Sequence, residues 1–369
     1  MSIETKRVII GCKKGYKGIR QFIHNCHINA SIVQMDDHLN ICVCTVSEEQ
    51  ISSFKSYFSS NPNVRFVEED QIRKVNVIPN DPLFPEQWGI SKVRGTRAWN
   101  RAVISPPSVP IAILDTGIDQ NHEDLSSRIV DNQNFTDSPT VDDLYGHGTH
   151  VAGIAAAITD NLIGVAGMGF NSPQLLNIKV LNDQGVGFDS WIAQGIVYAT
   201  NQGAKVINMS FGGPGASQTL REGILFARDK GVVVIASAGN ENTDTRNFPA
   251  AYNYSISVAA TDQNDQKANF SNFGASWVDV AAPGVTIIST CPNHPNEIEC
   301  TNYGSLSGTS MSAPFVSGLA SLLIATNPAL TQGQIKKAIQ KTAEEIDGTG
   351  VLYQYGRIDA LKAITRAKN

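Results

Sequence analysis

Nothing in this chain speaks for a membrane, a nucleic acid or a thiolate-bound metal. No uncharged apolar run reaches the roughly 18 residues that a membrane span requires. Basic residues are not in excess: 29 Lys and Arg stand against 34 Asp and Glu, a net charge of −5. That balance excludes the basic face expected of a nucleic-acid binder. Six cysteines are present, yet none of their spacings is a CxxC pair, so a zinc site has no support. Met1 to Gly11 carries charges among its apolar residues and lacks the long apolar core of a signal peptide. The expectation is a secreted protein whose signal is missing from this sequence, with an intracellular protein as the alternative. Internal repeats and low-complexity tracts are also absent. Charged residues make up only 17% and hydrophobic ones 41%, which is the balance of a folded globular protein.

What is present falls into two parts. Residues 6 to about 75 read as a compact unit: strand Lys6–Cys12, helix Tyr16–Asn25, strands Ala30–Gln34 and Ile41–Val46, helix Glu48–Ser59, and strand Val64–Val67. Ser47 and Gln50 have the spacing of a capping box. The order β-α-β-β-α-β is that of a ferredoxin-like α+β domain. Cys12, Cys26, Cys42 and Cys44 all lie here, and Cys42 and Cys44 on one strand would share a face as core. Periodicity then fades from Glu68 to Asn80, and the prolines at 79 and 82 favour an extended linker.

From Pro110 onward, short β-branched runs alternate with helical stretches. The runs are Val109–Leu114, Leu175–Leu181, Val206–Met209, Val232–Ala236 and Ile256–Val258; the helices are Thr149–Ile158, Ser190–Asn201 and Gln218–Lys230. Such alternation predicts an α/β domain built on a mostly parallel sheet covered on both faces. In these sheets reactive groups gather beyond the carboxyl ends of the strands.

Chemistry-bearing residues sit at those ends. Asp115 directly follows the run Ile111–Leu114, His147 stands at the start of a helix in Gly146-His147-Gly148-Thr149-His150, and Ser310 opens an apolar, charge-free helix. The small, hydroxyl-rich stretch Ser305–Pro314 feeds that helix, with Pro314 assigned to its first turn. A serine there has free N–H groups and the positive end of the helix dipole beside it, where an oxyanion is favoured. A serine hydroxyl needs a base to become a nucleophile, and an imidazole needs a carboxylate to fix its tautomer. Asn240, beyond another strand in Ala236–Asn240, supplies an amide donor. Plainer readings remain at each point: Ser310 as a helix cap, Asp115 and Asn240 as turn formers, His147 as a loop residue with His150 in its place.

Taken together, Asp115-Thr116-Gly117, His147-Gly148-Thr149-His150 and Gly308–Pro314 resemble the subtilisin-type serine proteases, in their thermitase-like branch. The likeness runs from about Asn80 to Ala367. It implies a subtilisin-like three-layer fold and a serine endopeptidase in which Asp115 orients the imidazole, His147 is general base then acid, and Ser310 attacks. Asn240 and the Ser310 N–H would form the oxyanion hole, and His150 has no catalytic role in that pattern. One departure is Phe315, where the family usually has histidine after the proline.

The resemblance further implies a zymogen. Residues 1–76 would be a propeptide acting as intramolecular inhibitor, and 77–369 the catalytic domain, with self-cleavage within Lys74 to Ile78, after Asn76. An unrelated N-terminal regulatory domain is the competing reading. Ser210, Phe211 and Gly212, with Gly185, Val186 and Gly187, would clamp an extended peptide or protein substrate by main-chain hydrogen bonds. Ser237, Ala238 and Gly239 would wall a broad primary pocket with Asn247 near its base. Ca2+ is the implied cofactor, held by Asp81, Asp124, the Asn161 amide and the carbonyls of Ile158, Ile163 and Val165, a hard oxygen cage. A second site around Asp137, Asp142 and Asp143 competes with a plain acidic, solvated loop. Cys291 and Cys300 bracket an insertion on the leaving-group side that can close as a disulfide, worth about 2–3 kcal/mol. A monomer is expected. The alternatives to a broad endopeptidase are a maturation protease for one partner peptide and an inactive peptide-binding pseudoenzyme.

Overall fold

The computed structural model describes residues 5–14, 18–71, 78–102 and 109–368. The chain divides into two compact units, Met1–Val75 and Asn76–Asn369.

The first unit runs β1 (Thr5–Cys12), α1 (Ile19–His24), β2 (Ala30–Asp36), β3 (Ile41–Ser47), α2 (Ile51–Ser59) and β4 (Val64–Glu69). Its sheet is antiparallel in the order β2-β3-β1-β4, the ferredoxin-like arrangement. Alternate residues of β1 and β3, Val8 and Ile10 against Cys42, Cys44 and Val46, turn inward to meet Ile19, Ile23, Phe54 and Phe58 from the helices. Tyr16, where the first helix was expected to begin, lies outside the described residues. The second helix departs from expectation. It starts as a 3-10 turn, Glu48–Gln50, and no capping box forms. The Ser47 hydroxyl instead donates to Gln50 Oε1, which also accepts the Asn29 N–H. The box is found elsewhere, at Thr331 and Gln334.

The second unit contains α3 (Trp88–Lys92), α4 (Gly95–Arg101), β5 (Val109–Asp115), β6 (Ile129–Asn134), α5 (His147–Ala156), β7 (Pro173–Lys179), α6 (Asp189–Asn201), β8 (Val206–Met209), α7 (Gln218–Asp229), β9 (Val233–Ser237), β10 (Ser255–Thr261), β11 (Val280–Pro283), β12 (Ile287–Thr290), β13 (Tyr303–Leu306), α8 (Thr309–Thr326), α9 (Gln332–Lys341) and α10 (Ala360–Ala367). Seven strands, β11-β10-β9-β8-β5-β7-β6, form one sheet whose neighbouring strands all run parallel. The twofold alternation of a strand sorts its side chains into two cores. Ile111 and Ile113 face the layer of α5, α8 and α10, while Ala112 and Leu114 face that of α6 and α7. Strand β6 escaped sequence reading because its residues 131–134 are Asp, Asn, Gln and Asn on a sheet edge, with no apolar alternation to find.

Contrary to the expectation that no run reaches a membrane span, α8 is by length and composition the one described helix that could cross a membrane, but 83% of it is buried inside the protein. It is the core helix of the unit. Pro314 is not in its first turn, as expected, but is the sixth residue of the helix. A proline there leaves the carbonyl four residues earlier, that of Ser310, without its N–H donor. The Ser210 hydroxyl fills the gap, donating to Ser310 O at 2.8 Å. A side chain from the next strand end thereby makes the proline tolerable.

Candidate active site

Strand β5 ends on Asp115, and its carboxylate is fully buried. Oδ1 accepts the Thr116 N–H at 2.8 Å and the His147 Nδ1 at 2.7 Å, while Oδ2 is buried without a partner. A carboxylate can only accept here, so Nδ1 carries the proton and Nε2 keeps its lone pair for another. Burial alone would push the His147 imidazole down, but the Asp115 charge and hydrogen bond, with Asp143 further off, raise it above its ordinary value. A fifth of the side chain stays accessible, so the ring is reachable from solvent.

The approach of the two residues is set by backbone. Gly146 adopts a left-handed φ of 106° to turn the chain into α5. A Cβ on Gly148 would collide with the Gly117 carbonyl, so only glycine lets the helix start this close to Asp115. Asp143 then locks the turn. It is fully buried and accepts from Gly146 N, Thr149 N, Thr149 Oγ1 and Thr116 Oγ1, all at 2.7–2.8 Å.

Ser310 is the second residue of α8. Its hydroxyl donates to the Ser210 carbonyl at 2.7 Å, and in this rotamer makes no hydrogen bond to His147 among the described residues. Asn240 stands opposite the helix start. Its Oδ1 accepts both Thr309 N, at 2.9 Å, and Thr309 Oγ1, at 3.0 Å. This fixes the amide and leaves Nδ2 without an acceptor among the described residues. A point one bond from Gly308, where a Cβ would stand, lies 3.5 Å from Asn240 Nδ2 and 3.6 Å from Ser310 N. Asn240 Nδ2 and the Ser310 N–H thus both border one small volume at the start of α8.

The chain matches the model of the Subtilase family, peptidase S8, over residues 107–357. It belongs to the subtilase family. Thermitase of Thermoactinomyces vulgaris is 44% identical over 288 residues, covering 78% of this chain and 99% of thermitase. The thermophilic serine proteinase of Bacillus sp. strain AK1 is 38% identical over 340 residues, 92% of this chain and 82% of that protein. Among solved structures, a protease from Pseudoalteromonas arctica PAMC 21717 superposes with a TM-score of 0.72 at 30% identity, covering 79% of this chain and all of the other. This subtilase is a subtilisin-like serine protease acting on peptide or protein substrates.

Several of the other residues expected at the site adjoin Ser310 or the ends of the strands beside it: Ser210 exchanges hydrogen bonds with Ser310, and Gly239 N donates to Thr309 Oγ1. Ser210, Phe211 and Gly212 leave the end of β8, and Ser237, Ala238 and Gly239 the end of β9. Asn247 lies between them: its Nδ2 would clash with a Cβ on Gly212 and stand 2.8 Å from one on Gly239. In Gly185, Val186 and Gly187, the Val186 carbonyl accepts from Asn182 N and its side chain is exposed, facing solvent rather than core. His150 points elsewhere. Its Nε2 meets the Gly304 carbonyl at 3.1 Å, and burial pushes the ring down to about 3, so it stays neutral and structural.

Asp81 and Asp124 are buried, and Asp81 Oδ1 has no partner. Burial, with help from the Asp81 and Glu123 charges, pushes the Asp124 carboxyl up to about 7 despite bonds from Val165 N and Asn161 Nδ2. Among the described residues no donor reaches the carbonyls of Ile158, Ile163 or Val165. Asn161 turns its nitrogen to Asp124 and its oxygen to the Ile163 N–H, an orientation that a half-turn of the amide reverses. Two buried carboxylates with orphaned carbonyls fit a hard cation. The second site does not fit: Asp143 is buried and saturated by protein donors, and Asp137 is exposed on Asn182. Nor is Asp143 part of a solvated loop. Its role was hidden from sequence because its partners, Thr116 and Thr149, are brought to it only by folding. Thr309, adjacent to Ser310, is likewise visible only once it is seen to hold Asn240.

Proposed function

We propose that this subtilase hydrolyses peptide bonds through Asp115, His147 and Ser310. The observation carrying this reading is the 2.7 Å bond from His147 Nδ1 to the buried Asp115, which leaves Nε2 free to act as a base. Rotation about the Ser310 Cα–Cβ bond frees its hydroxyl from the Ser210 carbonyl; catalytic bonds commonly tighten only when substrate is present. His147 Nε2 takes the hydroxyl proton as Oγ attacks the scissile carbonyl. The negative charge developing on the carbonyl oxygen is met by Ser310 N–H and Asn240 Nδ2. His147 then gives its proton to the leaving amine, and water, activated the same way, releases the acyl group. The segments 210–212 and 185–187 hold the peptide, and 237–239 with Asn247 bound its primary pocket.

The N-terminal unit acts as propeptide, inhibitor and folding aid. Support comes from its ferredoxin-like order and from thermitase, whose nearly full length matches only 78% of this chain, leaving about the size of that unit unmatched. Ca2+ is held by Asp81, Asp124, Asn161 and the carbonyls of Ile158, Ile163 and Val165. Bound there, the ion would neutralise the two carboxylates, and its ligands would link the segment around residue 81 to the loop after α5. Secretion is supported by the Cys291–Cys300 disulfide, a bond of oxidising compartments.

The decisive experiment is folding of the full chain with Ca2+. Wild type should be cut once within residues 74–78, a segment of which only Ile78 is among the described residues, and after Asn76. The Ser310→Ala chain should stay whole, and a fluorophosphonate probe should label only the former. A clean Ser310→Ala preparation that still yields the cut sinks the assignment. A second reading, a maturation protease of narrow specificity, is favoured by one observation. The disulfide-closed insertion runs along the turn before His147, Ile298 N bonding Tyr145 O at 3.1 Å. Cleavage profiling on a peptide library separates the two readings.

A further inference from the structure

Away from the catalytic residues, one cluster of potential ligand atoms stands out among the described residues. Asp119, Asp142 and His294 each direct a ligand atom into one place, all within 4.8 Å of one another. They come from three segments: the loop after β5, the turn before α5, and the insertion closed by the Cys291–Cys300 disulfide.

The chemistry of His294 makes the cluster more than an acidic patch. Its Nδ1 lies 3.1 Å from the Pro295 carbonyl, an acceptor only, so Nδ1 holds the proton. In the neutral ring Nε2 then presents a lone pair. That atom is buried and has no hydrogen-bond partner. It faces Asp142 Oδ2 at 3.6 Å, too far for a hydrogen bond. The two Asp142 bonds from backbone, Gln120 N and Asp143 N, both go to Oδ1, leaving Oδ2 without a donor among the described residues. Asp119 is fully buried and takes only the N–H groups of Asn121 and Asn293. A lone pair and two carboxylates thus converge. Two ligand atoms on one tetrahedral zinc stand about 3.4 Å apart, given bonds near 2.1 Å. The 3.6 Å between Nε2 and Oδ2 is close to that. A carbonyl holding the far nitrogen of the ring is also the usual support of a metal-bound histidine.

We propose that Asp119, Asp142 and His294 bind a divalent transition-metal ion of the zinc class. The imidazole ligand favours that class over Ca2+ or Mg2+. The ion ties the disulfide-closed loop to the two segments that carry Asp115 and His147, four residues before Asp119 and five after Asp142. It acts as a strut on the leaving-group side of the cleft and takes no part in bond making.

The test uses the full chain carrying Ser310→Ala, with excess Ca2+ present so that the hard-cation cage is filled. Zn2+ titration by calorimetry should give one equivalent per chain, and Co2+ should give the visible bands of a low-coordinate site. Removing a supporting contact of a ligand costs 10–100-fold in affinity, so His294→Gln and Asp142→Asn, which remove ligands, should each weaken Zn2+ by about 100-fold or more. Circular dichroism and metal-free thermal midpoints check that both variants fold. Zn2+ should raise the midpoint of the parent and not of the variants. The proposal is overturned if the parent takes up no Zn2+, leaving His294 and Asp142 as a simple ion pair. It is equally overturned if His294→Gln binds Zn2+ as tightly as the parent. Because the readout is binding in a Ser310→Ala chain, neither outcome bears on the proteolytic mechanism.

Discussion

Thr309 has no reacting atom, yet the geometry gives it control over one. Its N–H and Oγ1 hold Asn240 Oδ1 at 2.9 and 3.0 Å, and Oγ1 also accepts the Gly239 N–H at 3.0 Å. Thr309→Val keeps the shape and the backbone N–H but removes both hydroxyl bonds. One net hydrogen bond is worth about 0.5–1.5 kcal/mol. With tenfold in rate per 1.36 kcal/mol, kcat should fall about 2- to 13-fold if the amide is left less well aligned. KM should barely move, because the donor acts on the transition state rather than on bound substrate. Asn240→Leu should be far worse, about 10²–10³-fold in kcat, the usual loss for one oxyanion donor in a subtilisin. The double variant decides the matter. If Thr309 works through Asn240, adding Thr309→Val to Asn240→Leu should cost nothing more in kcat. The assay is steady-state hydrolysis of a chromogenic peptide by the four mature enzymes, with active sites titrated. Multiplicative losses in the double variant, or a loss confined to KM, would refute the reasoning.

The raised pKa of His147 fixes the sign of a pH effect. Protonated imidazole cannot accept the serine proton, so kcat/KM should fall as pH drops, on a limb centred above the ordinary histidine value. Asp115→Asn, leaving burial opposed only by the more distant Asp143 charge, should move that limb to lower pH while lowering kcat; a wild-type limb at or below the ordinary value would contradict the geometry. The same raised pKa contributes stability at low pH that is lost as pH rises through it, opposite to the activity trend. Chelation by EDTA should lower the thermal midpoint, since Ca2+ a thousandfold above its Kd contributes about 4 kcal/mol. Asp124→Ala should erase most of the difference, and indifference of wild type to both EDTA and Ca2+ would remove the cage. Finally, Ser210→Ala in a His147→Ala background should cost about 1–3 kcal/mol by urea unfolding, because Pro314 cannot satisfy the Ser310 carbonyl it strands. Pro314→Ala restores an N–H and should recover part of that loss; no recovery would mean the carbonyl is not what Ser210 serves.

Much of this protein was legible in one dimension because its signals are local. Alternating β-branched runs and helical stretches gave the parallel sheet, since each strand's two faces meet apolar layers and its sequence must say so. Asp115, His147 and Ser310 stood out because each sits where a strand or helix begins or ends, a position marked by flanking glycines and hydroxyls. What the sequence left open depends on partners far apart along the chain. Ser47 and Gln50 had the spacing of a capping box, but the glutamine oxygen accepts instead from the Asn29 N–H, in the loop before β2, and from the Ser47 hydroxyl. Pro314 was assigned to a first turn, and only the Ser210 hydroxyl, 100 residues from Ser310, explains how a helix runs through it. Asp143 looked like surface acid until folding wrapped it in four donors. The amide of Asn240 is aimed by Thr309, 69 residues away. Local propensity and patterning are written residue by residue, whereas hydrogen-bond satisfaction in a buried site is settled only when distant segments meet.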